Sequence, residues 1–132
     1  MTRVVLADDD KRVRRYVRAL LAKTASVQVV GEAEDGAGAV RLVAELAPDV
    51  LLLDVVMPGL NGIAATQQVL AASPRIKVLV FSLHNDRHLV RAALRAGAAG
   101  YVLKDHLDDE LAPALGALAR GERYLSPELA QP

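Results

Sequence analysis

Apolar positions along this chain follow two rhythms. Short apolar runs, Val4-Val5-Leu6-Ala7, Val27 to Val30, Val50 to Leu53, Val78 to Phe81 and Tyr101-Val102-Leu103, have the length of strands buried on both faces. Between them a longer period takes over. Val13, Val17, Leu20, Leu21 and Thr24 recur on one face of a helix, and Leu107, Leu111, Leu115 and Leu118 do the same near the end of the chain. Ala-rich segments 36–47, 63–73 and 87–96 supply three further helices, with Gly36, Ser73-Pro74 and Gly97 as boundary signals. Five alternating βα units predict a doubly wound α/β domain around a five-stranded parallel sheet. The final GERYLSPELAQP, residues 121–132, carries two prolines and no strand pattern, so it reads as a linker or tail beginning near Gly121.

Composition narrows the chemistry. The chain has 132 residues, of which 52% are apolar and only 3% aromatic, so one domain with an aliphatic core is expected. Sixteen basic and sixteen acidic residues cancel. A balanced charge gives no general pull toward nucleic acid or anionic lipid, and any DNA binding is expected to reside in a domain outside this chain. The absence of cysteine excludes disulfides, thiolate metal sites and a thiol nucleophile. No basic start leads into an apolar stretch, and no apolar run approaches the ~18 residues of a membrane span, so a soluble cytoplasmic protein is expected.

One run ends in a residue that a core strand should avoid. In LLLDVVMPGLNG, residues 51–62, three leucines lead into Asp54. In a doubly wound sheet, ligands bind beyond the carboxyl ends of the strands, and four of the five ends here carry polar chemistry. Strand one ends in Asp8-Asp9-Asp10, strand three in Asp54, strand four in Ser82 and strand five in Lys104. Converging carboxylates repel one another unless a cation lies among them. For all-oxygen ligands that cation is Mg²⁺ (or Mn²⁺), which takes one or two carboxylates, water and a phosphate oxygen. A nearby lysine and hydroxyl are what a bound phosphoryl group would then need.

These motifs together resemble the receiver domains of two-component response regulators, over roughly residues 3–125. The resemblance rests on Asp8-Asp9, LLLDVVMPGLNG, the Ser82 of VLVFS and GYVLK at 100–104. VVGEAEDG at 29–36 and GERYLSP at 121–127 are more narrowly similar to the NarL/FixJ type, in which a LuxR-type helix-turn-helix domain follows. The resemblance implies a flavodoxin/CheY-like (βα)5 fold with strand order 2-1-3-4-5, a receiver over 1–120, and a linker or tail at 121–132 toward an absent C-terminal domain. It implies a phosphoacceptor switch rather than an enzyme, phosphorylated on Asp54 by a histidine kinase and controlling transcription. Asp9 corresponds to the direct Mg²⁺ ligand, Asp8 to the acid acting through metal-bound water, and the Val56 backbone carbonyl to the remaining protein ligand. Lys104 and Ser82 correspond to the phosphoryl-binding lysine and hydroxyl, and Tyr101 to the aromatic that turns inward with that hydroxyl. Val56 and His84 occupy positions that influence phosphate lifetime in the family. Phosphorylation is expected to favour a homodimer, through the helix after Ser82, the Tyr101 strand and the last helix, or alternatively through the first and last helices.

Simpler roles are expected for several neighbours. Asp10 reads as the cap of the first helix, Met57 and Pro58 as shapers of the turn after Asp54, and Arg12, Arg14, Arg15 and Arg18 as a solvated helix face. His84, His88 and His106 share no metal-ligand spacing. Two other classes use similar parts. A phosphatase of the haloacid dehalogenase type would make Asp8 the nucleophile and Asp10 the acid, leaving Asp54 unexplained. A flavodoxin-like binding module would need a phosphate-cradling loop after strand one, where three carboxylates stand instead.

Overall fold

The computed structural model describes residues 1–57 and 59–130, so Pro58 and the last two positions of the expected tail lie outside the described residues. Strands β1 (Thr2–Ala7), β2 (Val27–Ala33), β3 (Val50–Asp54), β4 (Lys77–Ser82) and β5 (Gly100–Leu103) alternate with helices α1 (Lys11–Ala22), α2 (Gly36–Leu46), α3 (Gly62–Ala72), α4 (Arg87–Arg95) and α5 (Leu107–Ala119). All pair in parallel, and the five expected strands lie in the order 2-1-3-4-5. The doubly wound architecture predicted from the two apolar rhythms is therefore the observed one.

Alternation along each strand divides the core. Val5, Ala7, Leu51, Leu53, Val78, Val80 and Tyr101 face the layer of α2, α3 and α4. Val4, Leu6, Val50, Leu52, Leu79, Phe81 and Val102 face α1 and α5, meeting Val17, Leu21, Leu111 and Leu115. Side chains two residues apart share a face, so a strand buried on both sides must be apolar at every position, as β3 is until Asp54. Truncating Leu52 to alanine in such a core costs about 2–5 kcal/mol. Four helices start at an Asp or Asn whose side chain accepts a backbone N–H: Asp10, Asp35, Asn61 and Asp86. Each such cap is worth about 1 kcal/mol. The capping role expected for Asp10 is thus observed, at 2.8 Å from the Arg12 amide.

The tail departs from expectation. Residues 124–130, read as irregular, form a sixth strand β6 (Tyr124–Leu125) parallel to β5 and a short helix α6 (Pro127–Ala130). A two-residue strand is too short to show a period in the sequence. It is held instead by Ser126, which is fully buried. The Ser126 amide donates to the Tyr101 carbonyl at 3.0 Å, and its hydroxyl accepts the Leu103 amide at 3.0 Å. Tyr124 Oη donates to Glu110 Oε1 at 3.0 Å. The outer edge of β5 is therefore occupied.

Candidate functional site

Three rows of the pleat carry their last side chain past the sheet on the same side. Val4 and Leu6 lead to Asp8, Val50 and Leu52 to Asp54, and Val102 to Lys104, all continuing the face that packs on α1 and α5. Pairing of Val4 with Val50 and Leu6 with Leu52 sets the first two rows side by side. Lys104 Nζ lies 2.8 Å from Asp8 Oδ2 and 3.0 Å from Asp54 Oδ2. It also stands 5.1 Å from the centroid of the Phe81 ring, in cation–π range. Asp8 is fully buried and Asp54 nearly so.

The turn after β3 is built to aim Asp54. The Val56 amide donates to Asp54 Oδ1 at 3.0 Å, and the Gly62 amide donates to the Val55 carbonyl at 3.0 Å. Gly62 is required here, because a Cβ would lie 2.4 Å from Val55 Cα. Gly36 serves the same turn from α2, where a Cβ would lie 2.1 Å from the Leu60 carbonyl oxygen.

Burial and the Lys104 ammonium together set the electrostatics of the cluster. Burial pushes the Asp8 carboxyl above its usual range, and the Lys104 ammonium pulls it back only in part. Asp8 Oδ1 accepts the Asp10 amide at 2.8 Å, whereas its buried Oδ2 has the ammonium nearby but no well-directed hydrogen bond. For Lys104, burial works to depress the ammonium, yet the adjacent Asp8 and Asp54 carboxylates outweigh it and hold the pKa above the ordinary lysine value. Asp9 is exposed and points its carboxylate toward the same place: one oxygen from each of Asp8, Asp9 and Asp54 lies within 4.8 Å of the others. Three hard oxygens, one of them a buried acceptor without a directed donor, fit a small divalent cation. No histidine joins such a cluster among the described residues.

Ser82 and Tyr101 continue the opposite face of the sheet. Ser82 Oγ accepts the His84 amide at 3.0 Å, and Tyr101, fully buried, donates its hydroxyl to the His84 carbonyl at 2.8 Å. Burial raises the Tyr101 hydroxyl pKa. The loop after β4 is thus tied on one side to Ser82 and on the other to Tyr101. One pocket of about 390 Å³ collects Asp8, Asp9, Asp54, Val56, Ser82, His84 and Lys104. Asp10, Val13, Tyr16, Leu83 and Leu107 complete its wall. A second pocket, about 770 Å³, lies at the far end of the sheet around Met1, Val43, Pro48 and Leu118, away from this chemistry.

The family described as response regulator receiver domain matches residues 4–115. The chain belongs to this family. A transcriptional regulatory protein, DegU of Brevibacillus brevis, is 40% identical over 126 residues, covering 96% of this receiver domain and 53% of the relative. The response regulator GacA of Pseudomonas aeruginosa is 39% identical over 131 residues, covering 99% and 61% respectively. The receiver domain thus spans about half to three-fifths of the length of these curated relatives. A crystal structure of a LuxR-family two-component response regulator from Aurantimonas sp. SI85-9A1 superposes with a TM-score of 0.96 at 36% identity, covering 99% of this receiver and 94% of that chain. The relatives are LuxR/NarL-type regulators, the narrower group to which the sequence motifs pointed.

The arginines of α1 differ from the solvated face expected of them. Arg12, Arg15 and Arg18 are exposed, but the Arg14 side chain is only 16% exposed. It donates through Nη1 to the Asp8 carbonyl at 2.6 Å and pairs through Nε with Glu32 at 3.4 Å, while Arg18 pairs with the other Glu32 oxygen. Nothing in the spacing of four arginines singles out the second of them.

Proposed function

We propose that this receiver is the phosphoryl-accepting switch of a two-component system, with Asp54 as the acceptor. The observation that carries this reading is the convergence of Asp54, Asp8, Asp9 and Lys104 on one pocket. An Asp54 carboxylate oxygen attacks the phosphorus of a phosphohistidine on a sensor kinase. The P–N bond breaks, an acyl phosphate forms, and the imidazole leaves. Asp8, Asp9 and Asp54 would hold Mg²⁺ or Mn²⁺, together with the Val56 carbonyl; the ion supplies charge neutralisation for the transferring oxygens. Lys104 is freed from Asp54 Oδ2 and pairs with phosphoryl oxygens, and Ser82 donates its hydroxyl to another.

The switch follows from added charge. A phosphoryl group brings about 1.5–2 negative charges and strong acceptors. Drawing Ser82 toward it breaks the bond from the His84 amide, and the loop held by Tyr101 responds. Val56 and His84, both exposed at the pocket mouth, set how readily water reaches the acyl phosphate. The domain acts as a switch and not as an enzyme with a separate substrate. Beyond β6, which belongs to the receiver's own sheet, the chain leads toward a C-terminal helix-turn-helix domain, through which a cytoplasmic regulator of this kind binds DNA. Self-association on phosphorylation uses the face of α1 and α5 in place of the first-expected face of α4, β5 and α5, because β6 covers the β5 edge that the latter would present. Phosphoryl transfer from a phosphorylated histidine kinase tests the reading. Label should pass to the native chain in Mg²⁺ and not in excess chelator, and light scattering should then give twice the monomer mass. Transfer to Asp54→Ala at the native rate would contradict it.

A further inference from the structure

We infer that Arg14 is a positioning residue for the cation site, acting through the backbone at Asp8 and Asp9; this rests on the metal reading above. Among the described residues no hydrogen bond holds the Asp9 carboxylate, so its aim depends on the peptide that precedes it. That peptide is gripped at its oxygen. The Asp8 amide still donates to Ala33, as the last link to β2, but the Asp8 carbonyl lies beyond the ladder and is satisfied by Arg14 Nη1 at 2.6 Å. Rotation of this peptide plane would swing Asp9 away from Asp8 and Asp54.

Arg14 is itself oriented. Its Nε pairs with Glu32 Oε1, and Glu32 on β2 is also engaged by Arg18, so the guanidinium is held as a fork between strand and loop. Glu32 offsets the charge of Arg14. The arginine therefore steadies an acidic site without acting as a fixed competitor for its cation. Second-layer partners of metal ligands typically change metal affinity by about 10–100-fold.

Positioning and simple electrostatics predict opposite signs here. Were charge the whole effect, removing a cation beside an acidic site would tighten Mg²⁺ binding, and a lysine in its place would leave affinity unchanged. Calorimetric titration with Mg²⁺ alone, on the full chain, distinguishes them. Arg14→Met and Arg14→Lys should each weaken Mg²⁺ binding by about tenfold. Arg3→Gln is the control. It removes an arginine that grips the Leu46 and Ala47 carbonyls at the opposite end of the fold, so it should lower the melting temperature and leave Mg²⁺ affinity within about twofold. If Arg14→Met fails to fold, the charge-preserving Arg14→Lys decides. Unchanged or tighter binding in the variant that decides would overturn the role of Arg14. Failure of the native chain to bind Mg²⁺, or binding indifferent to Asp9→Asn, would instead overturn the metal reading beneath it.

Discussion

Replacing Lys104 by methionine removes the cation that separates two buried carboxylates. Its ammonium is 2.8 Å from Asp8 and 3.0 Å from Asp54, with side chains 12%, 0% and 7% exposed in turn. Breaking a buried pair from one side costs about 3–5 kcal/mol, because the remaining charge stays out of water. The pocket opens to solvent, so the lower end applies, about 3 kcal/mol. For a domain of this size 1 kcal/mol moves the melting temperature by about 3–4 °C, so Lys104→Met should melt about 10 °C below the native chain in chelator. Mg²⁺ should reverse the loss. A ligand at one hundred times its dissociation constant adds about 2.7 kcal/mol, and without a competing ammonium the variant binds the ion more tightly. Melting followed by circular dichroism, with and without Mg²⁺, reads both effects. A variant within about 2 °C of native in chelator, or one that gains no more from Mg²⁺ than the native chain, would refute this account of the cluster.

Three further outcomes are expected. Because the folded Asp8 pKa is raised, its contribution to stability is present below the ordinary carboxylate range and is lost as pH rises through the folded value. Asp8→Asn should therefore melt higher than native at neutral pH in chelator, with the difference vanishing in acid; a constant difference would exclude the mechanism. Tyr124 has its hydroxyl pushed up to about 12, by burial first and then by the bond to Glu110. Stability from this group is present below pH 10 and lost as pH rises through about 12. Tyr124→Phe should cost about 1–2 kcal/mol at neutral pH, and remove a step near pH 12 from the ultraviolet tyrosinate titration. Ser126→Ala orphans the buried Leu103 amide and should cost about 1–3 kcal/mol. Faster hydrogen exchange should follow at residues 101–103 and 124–126, and unchanged exchange there would show that β6 is not held as described.

The sheet and its five helices were legible because β1, β3, β4 and β5 are buried on both faces over most of their length, which leaves apolar runs, and each helix is buried on one; β2, at the edge and only partly buried, breaks its run with Gln28. The acids were legible for the same reason: Asp54 stands out against Leu51, Leu52 and Leu53, and the polar residues at the other strand ends fall where ligands bind. Period two carries more than the strands themselves. It makes Asp8, Asp54 and Lys104 continue the α1–α5 face and Ser82 and Tyr101 the other, so at the end of the sheet Ser82 and His84 border the charge cluster from the opposite rows and meet it in one pocket. What escaped the sequence depends on single side chains reaching backbone far away. Ser126 bonds Leu103 across 23 positions and Tyr124 bonds Glu110 across 14, and no periodicity announces either. Arg14 is similar. It belongs to a run of basic residues, and only the fold puts its guanidinium between Asp8 and Glu32.

Every role assigned to this pocket depends on Asp54 accepting a phosphoryl group. Intact mass after incubation with Mg²⁺ and acetyl phosphate tests it most directly, with the native chain beside Asp54→Ala. The native chain should gain one phosphoryl mass, roughly 80 Da by the chemistry of an acyl phosphate, and the variant should gain none. A native chain that stays unmodified both here and with a phosphorylated kinase, or an Asp54→Ala chain that gains the same mass, would contradict the account.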